Sequence, residues 1–137
     1  MTLTALRDDA LTSTDDGFRL RLGLPWIRSL PVASLLDPVV RIDGADVPST
    51  IVELGNRAVA PADLSQEDGW WFLQDRIVLR GDRALDAGGH DVAVSFRLAV
   101  PYLQTGPEGP LTLPFRIERP LVLNAAASTP TVSRDVA

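Results

Sequence analysis

The chain has no cysteine and one histidine, His90. Without thiols there are no disulfides, no thiolate metal site and no cysteine nucleophile, and nothing marks an oxidising compartment. One imidazole falls short of the multi-histidine metal centre that a cupin-type jelly-roll enzyme needs. Lysine is absent too: all 13 basic residues are arginine, which closes any Schiff-base route. Against them stand 18 acids, for a formal net charge of −5 and a pI near 4.7. Nucleic acids and anionic membranes attract clustered positive charge, so neither is an expected partner. Long apolar runs are missing, and the opening MTLTALRDDALTSTDD has neither the apolar core of a signal peptide nor a membrane span. A cytoplasmic location is expected.

Uninterrupted helical pattern is scarce as well. Eleven prolines and ten glycines punctuate 137 residues, and apolar side chains alternate instead of recurring at helical spacing. Phe18, Leu20, Leu22 and Leu24 face one way while Arg19 and Arg21 face the other. From His90 to Val100 the residues Val92, Val94, Phe96, Leu98 and Val100 alternate with Asp91, Ala93, Ser95, Arg97 and Ala99. Leu111, Leu113, Phe115 and Ile117 form a third such row, and Pro114 within it predicts an edge strand or a bulge. Shorter strands are predicted at Val39 to Ile42, Ile51 to Leu54, Trp70 to Leu73 and Ile77 to Arg80. Turn dipeptides separate them at Asp43-Gly44, Gly55-Asn56, Asp68-Gly69, Gly81-Asp82 and Gly88-Gly89. The pattern predicts an all-β antiparallel two-sheet sandwich, jelly-roll-like or immunoglobulin-like. A single domain over residues 1–124 is expected, with 125–137 a small, polar tail lacking fixed structure unless a partner orders it.

The segment GFRLRLGLPWIRSLPVASL, Gly17 to Leu35, stands out. Pro25 and Pro31 fix φ and remove backbone donors, so the stretch between them is expected to be a rigid loop presenting Trp26, Arg28 and Ser29. Trp and Arg are enriched at the energetic centres of interfaces. The competing expectation is that Trp26 plugs one end of the core and Arg28 pairs with a nearby aspartate. Pro101 and Tyr102, ending the longest predicted strand, are a second candidate surface. Trp70 and Trp71, flanked by Glu67, Asp68 and Asp75, offer a sugar-stacking pair, against the plainer outcome that strand alternation buries one ring and exposes the other. His90 is read first as a turn histidine, with acid or base work a lesser option. No nucleophile elbow and no glycine-rich phosphate loop is present. A binding module or non-catalytic subunit is therefore expected.

The runs GFRLRLGLPWIRSLP, VRIDGADV, DGWWFLQDRIVL, GGHDVAVSFRLAVPYL and LTLPFRIERPLVLN resemble the small β-subunit of bacterial C-glycoside deglycosidases, from about Leu6 to Asn124. The resemblance implies a β-sandwich that docks on a catalytic α-subunit, itself similar to sugar-phosphate isomerases: a TIM-type barrel holding a divalent metal, Mn²⁺. It implies a 3-keto C-glycoside as substrate, a flavonoid or related aromatic C-glycoside, cleaved between sugar and aglycone by elimination. It also implies a hetero-oligomer with no catalytic residue and no metal on this chain, and makes Trp26, Arg28, Ser29, Pro101 and Tyr102 the interface or pocket-rim candidates. Two alternatives remain: a free-standing carbohydrate-binding module using Trp70 and Trp71, and a structural subunit of another sugar-isomerase-like complex.

Overall fold

A computed structural model describes residues 5–104, 109–126 and 134–136. Eleven strands follow in order: β1 (Leu11–Ser13), β2 (Phe18–Gly23), β3 (Leu30–Pro31), β4 (Leu35–Ile42), β5 (Ala45–Val47), β6 (Ile51–Leu54), β7 (Arg57–Val59), β8 (Trp70–Trp71), β9 (Arg76–Gly81), β10 (Gly89–Gln104) and β11 (Pro110–Val122). Two 3₁₀ turns, Val32–Ser34 and Pro61–Gln66, complete the described secondary structure. One antiparallel sheet runs β1-β2-β9-β6-β7 and the other β11-β10-β4-β5, while β3 and β8 form a separate two-stranded ladder. The all-β sandwich expected from the alternation is what the chain forms.

Alternation explains the packing. Phe18, Leu20 and Leu22 of β2 and Ile77 and Leu79 of β9 turn inward, as do Val92, Val94, Phe96 and Leu98 of β10, and together they form one core between the sheets. At about 25 cal/mol per Å² of apolar surface removed from water, this shared face is the main stabilising term. The outward rows carry charge: Arg19 and Arg80 both reach Glu53 on the five-stranded sheet, at 3.0 and 3.4 Å. Pro114 does lie in an edge strand, β11, opposite Arg97 of β10.

Two junctions fix the geometry. Asp43 and Gly44 join β4 to β5 with φ of 51° and 83°, the left-handed pair that a type I′ hairpin turn requires. Gly17 passes so close to β9 that a Cβ there would come within 1.9 Å of the Gly81 carbonyl oxygen. The sheets are also tied end to end, since Asn124 donates its backbone N–H to Leu11 and its Oδ1 accepts from the Ser13 N–H, each at 2.9 Å.

Three features depart from the sequence expectation. Pro31 takes part in a strand: Leu30 and Pro31 pair with Trp71 and Trp70, so the proline-fenced loop is shorter than the spacing suggests. The predicted strand at Trp70 to Leu73 stops after Trp71. Of the tail, residues 127–133 and 137 lie outside the described residues, but residues 134–136 return to β9. There Arg76 donates to the Arg134 carbonyl at 2.8 Å, Val136 donates to the Arg76 carbonyl at 2.9 Å, and the Val136 side chain is buried. The expectation of a tail without fixed structure therefore does not hold at those three residues.

Candidate functional site

The loop after β2 brings together side chains from three distant segments. Trp26 is half-buried and packs on the rim of the core, and its Nε1 donates to the Tyr102 hydroxyl at 2.5 Å. The guanidinium of Arg28 lies over the Tyr102 ring, 5.2 Å from its centroid, in cation–π geometry. Ser29 Oγ accepts the backbone N–H of Leu73 at 3.0 Å, tying the loop to the segment after β8. Trp26, Arg28 and Tyr102 thus form one cluster, and Ser29 anchors it without entering it. Pro101 is exposed next to Tyr102 on β10. Both expectations for Trp26 are partly met, because its ring covers the core edge while its nitrogen faces the surface cluster. Arg28 makes no ion pair with an aspartate among the described residues; Tyr102 occupies that role.

Around the cluster lie apolar side chains that sequence reasoning did not assign. Ile27 is 74% exposed, and Phe72, Leu73 and Leu103 are also open to solvent. An exposed apolar side chain in a loop or at a strand end carries no periodic signal, so only the Trp and Arg beside them marked the place.

The tryptophan pair is not a stacking platform. Trp70 is half exposed, but Trp71 is fully buried and its Nε1 donates to the Asp75 carbonyl at 3.2 Å. Adjacent residues of a strand point to opposite faces, so a two-ring surface for a sugar cannot form. This corrects the reading of Trp70 and Trp71 as a joint sugar-stacking site.

His90 is more engaged than a turn histidine. Its Nδ1 lies 2.7 Å from Oδ2 of Asp43 and its Nε2 lies 2.6 Å from the carbonyl oxygen of Asp86. The hydrogen bond to Asp43 is the main cause that raises its pKa. Both nitrogens are occupied, so the ring is spoken for as a structural donor.

A shallow depression of about 550 Å³ crosses the outer face of β4, β10 and β11, lined by Arg41, Asp91, Arg116, Glu118 and Arg119 among others. Its arginines pair internally, Arg41 with Asp46, Arg116 with Glu118 and Arg119 with Asp8. Among the described residues no three His, Asp or Glu side chains converge as a metal ion would require, and no helix is long and apolar enough to cross a membrane.

Comparison with known proteins gives the cluster a context. No family model matches the chain. It is 35% identical over 99 residues to the 3'-dehydrocarminate deglycosidase beta subunit of Microbacterium sp., covering 69% of this chain and 75% of the relative. It is 31% identical over 100 residues to a C-glycoside deglycosidase beta subunit of Arthrobacter globiformis, covering 69% and 76%. A second beta subunit from that organism is 29% identical over 123 residues, which is 85% of this chain and 93% of the relative.

Proposed function

The chain belongs to the family of C-glycoside deglycosidase beta subunits, and on that premise we propose that it is the non-catalytic subunit of a complex that cleaves the carbon–carbon bond between sugar and aglycone in 3-keto C-glycosides. The observation that carries this is the match to a beta subunit at 35% identity over three quarters of that relative. A beta subunit implies at least one further subunit in the assembly.

In this reading the partner is a TIM-barrel α-subunit that supplies the base and a divalent metal, Mn²⁺. The base takes the proton from sugar C2, the C1–C2 double bond forms, the C1–aglycone bond breaks and the departing aglycone carbon takes up a proton. The metal would stabilise negative charge developing at the 3-keto oxygen. This chain contributes binding surface, in keeping with its single, structurally engaged histidine and its lack of cysteine and lysine. The aglycone is an aromatic system of the flavonoid or related class, and the complex works in the cytoplasm.

The test is reconstitution. The chain, a candidate barrel-type α-subunit, and their mixture are each assayed on a 3-keto C-glycoside with Mn²⁺. Activity is expected in the mixture and not in this chain alone; turnover by the isolated chain would refute the non-catalytic assignment.

A further inference from the structure

We propose that the end of the sandwich bearing Ile27 and Arg28 is the face that seats on the partner subunit, and that the partner meets it with an apolar hollow for Ile27 edged by a carboxylate for Arg28. This deepens the reading above and rests on it.

Apolar exposure on the described residues is concentrated at this end. Of the eight large hydrophobic side chains open to solvent, six lie on the segments around Ile27, Trp70 to Leu73 and Tyr102 to Leu103, and the other two, Val39 and Val122, lie elsewhere. The segments are cross-tied by the Trp26–Tyr102 hydrogen bond, the Ser29–Leu73 hydrogen bond and the β3–β8 ladder. Clustered apolar exposure on a soluble domain marks an interaction site, and a pre-ordered loop loses little entropy on docking.

Charge then selects the occupant. Nine arginines of the described residues sit in ion pairs with Asp or Glu, and Arg83 donates to the Ile42 carbonyl at 3.1 Å. Among the described residues Arg28 meets only the face of Tyr102, which leaves its N–H fork directed at no acceptor there. A guanidinium held flat on a ring is positioned for two-point contact with a carboxylate. In a chain of net charge −5, a second copy would bring the same unpaired cation to a symmetric contact, and like charges would face each other. A different protein with an acidic group at the matching place fits better.

Strand addition is a poor route for that partner. β11, the long edge strand, carries Pro114 and Pro120 opposite Arg97 and Asp91 of β10. A proline fits a ladder only where its missing N–H would face away from the neighbouring strand, so both prolines delete donors from the free edge. The other outer strands, β1, β5 and β7, have three residues each. What remains is docking through side chains at the loop end.

The experiment measures affinity of the full chain for its barrel partner by calorimetry or native mass spectrometry, with Ile27→Asp, Arg28→Ala and the distant Val122→Asp as control. Ile27→Asp is expected to weaken binding at least about 30-fold and Arg28→Ala about tenfold, as central interface residues do, with Val122→Asp within about twofold. Circular dichroism and thermal midpoint of the free chain should stay unchanged for the first two, since both side chains are exposed. Native-like affinity in both variants overturns the proposal while leaving the subunit assignment standing. So does self-association of the chain that Ile27→Asp abolishes without affecting the partner. If the unmodified chain neither binds the barrel protein nor supports its activity, both the assignment and the proposal fall.

Discussion

Asp43 and His90 close a clamp at the foot of the four-stranded sheet. Oδ2 of Asp43 meets Nδ1 of His90 at 2.7 Å, while Oδ1 of the same carboxylate accepts the Asp91 N–H at 2.9 Å. The far side of the ring meets the Asp86 carbonyl oxygen at 2.6 Å. Two acceptors on one imidazole are both satisfied only when both nitrogens carry protons, so folding favours the imidazolium. The His90 pKa is accordingly raised, first by Asp43 and next by Asp86, with burial opposing. That of Asp43 is lowered, first by His90 and next by the Asp91 N–H, with Arg83 a minor contributor.

The clamp makes stability depend on pH in a stated direction. A histidine whose folded pKa exceeds its unfolded value contributes fully below about pH 6.5, and the contribution is lost as pH rises through the folded value. Asp43 works the other way: its contribution is present above about 3.8 and is lost as pH falls through its lowered value. The thermal midpoint should therefore decline from mildly acidic to alkaline pH. In His90→Gln that decline should flatten, as read by differential scanning calorimetry across the series. A decline of equal slope in the variant would show that the pH dependence has another source.

The two neighbouring tryptophans should separate in a stability assay. Trp71→Ala removes a fully buried ring and is expected to cost about 3–5 kcal/mol in urea unfolding. Trp70→Ala, on the exposed face, should fall within about 0.5 kcal/mol of the native chain. Comparable losses at both positions would contradict the alternation.

Much of this architecture could be read directly from the residues, for a physical reason. β2, β10 and β11 each pack one face on the core, and that asymmetry writes a period of two into Phe18 to Leu22, Val92 to Leu98 and Leu111 to Ile117. β1, β5 and β7 are three-residue strands, too short for a period to register. Trp26 and Arg28 were visible by residue type and by their flanking prolines. Their common partner Tyr102 lies more than seventy positions away, and such tertiary pairing has no local trace. The exposure of Ile27, Phe72 and Leu73 was not legible for the opposite reason: an exposed apolar side chain looks the same in sequence as a buried one.

The return of the chain end to β9 should matter for stability. Val136 is buried, the backbone on either side of Asp135 hydrogen-bonds with Arg76, and Asp135 pairs with Arg21 at 2.9 Å. Removing residues 134–137 uncovers that site and frees two backbone groups of Arg76. A loss of about 2–4 kcal/mol in guanidinium unfolding is expected. Val136→Ala should recover most of the difference, because it keeps the backbone pairing. A truncated chain as stable as the full one would show that this contact is not maintained in solution.

Tyr102 serves two neighbours with different parts of one side chain, which allows its roles to be separated. The hydroxyl accepts from Trp26 and the ring face supports Arg28. Tyr102→Phe loses a single exposed hydrogen bond and keeps the ring, so partner affinity should change by less than about threefold while the Trp26 fluorescence shifts. Tyr102→Leu removes the ring face and should weaken partner binding about three- to tenfold, the range of an exposed to partly desolvated cation–π contact. If the ring acts by holding Arg28, the loss should not add to that of Arg28→Ala. The double variant should bind no more than about twofold more weakly than Arg28→Ala alone. Fully additive losses would mean that Tyr102 touches the partner on its own account and that Arg28 needs no support from it.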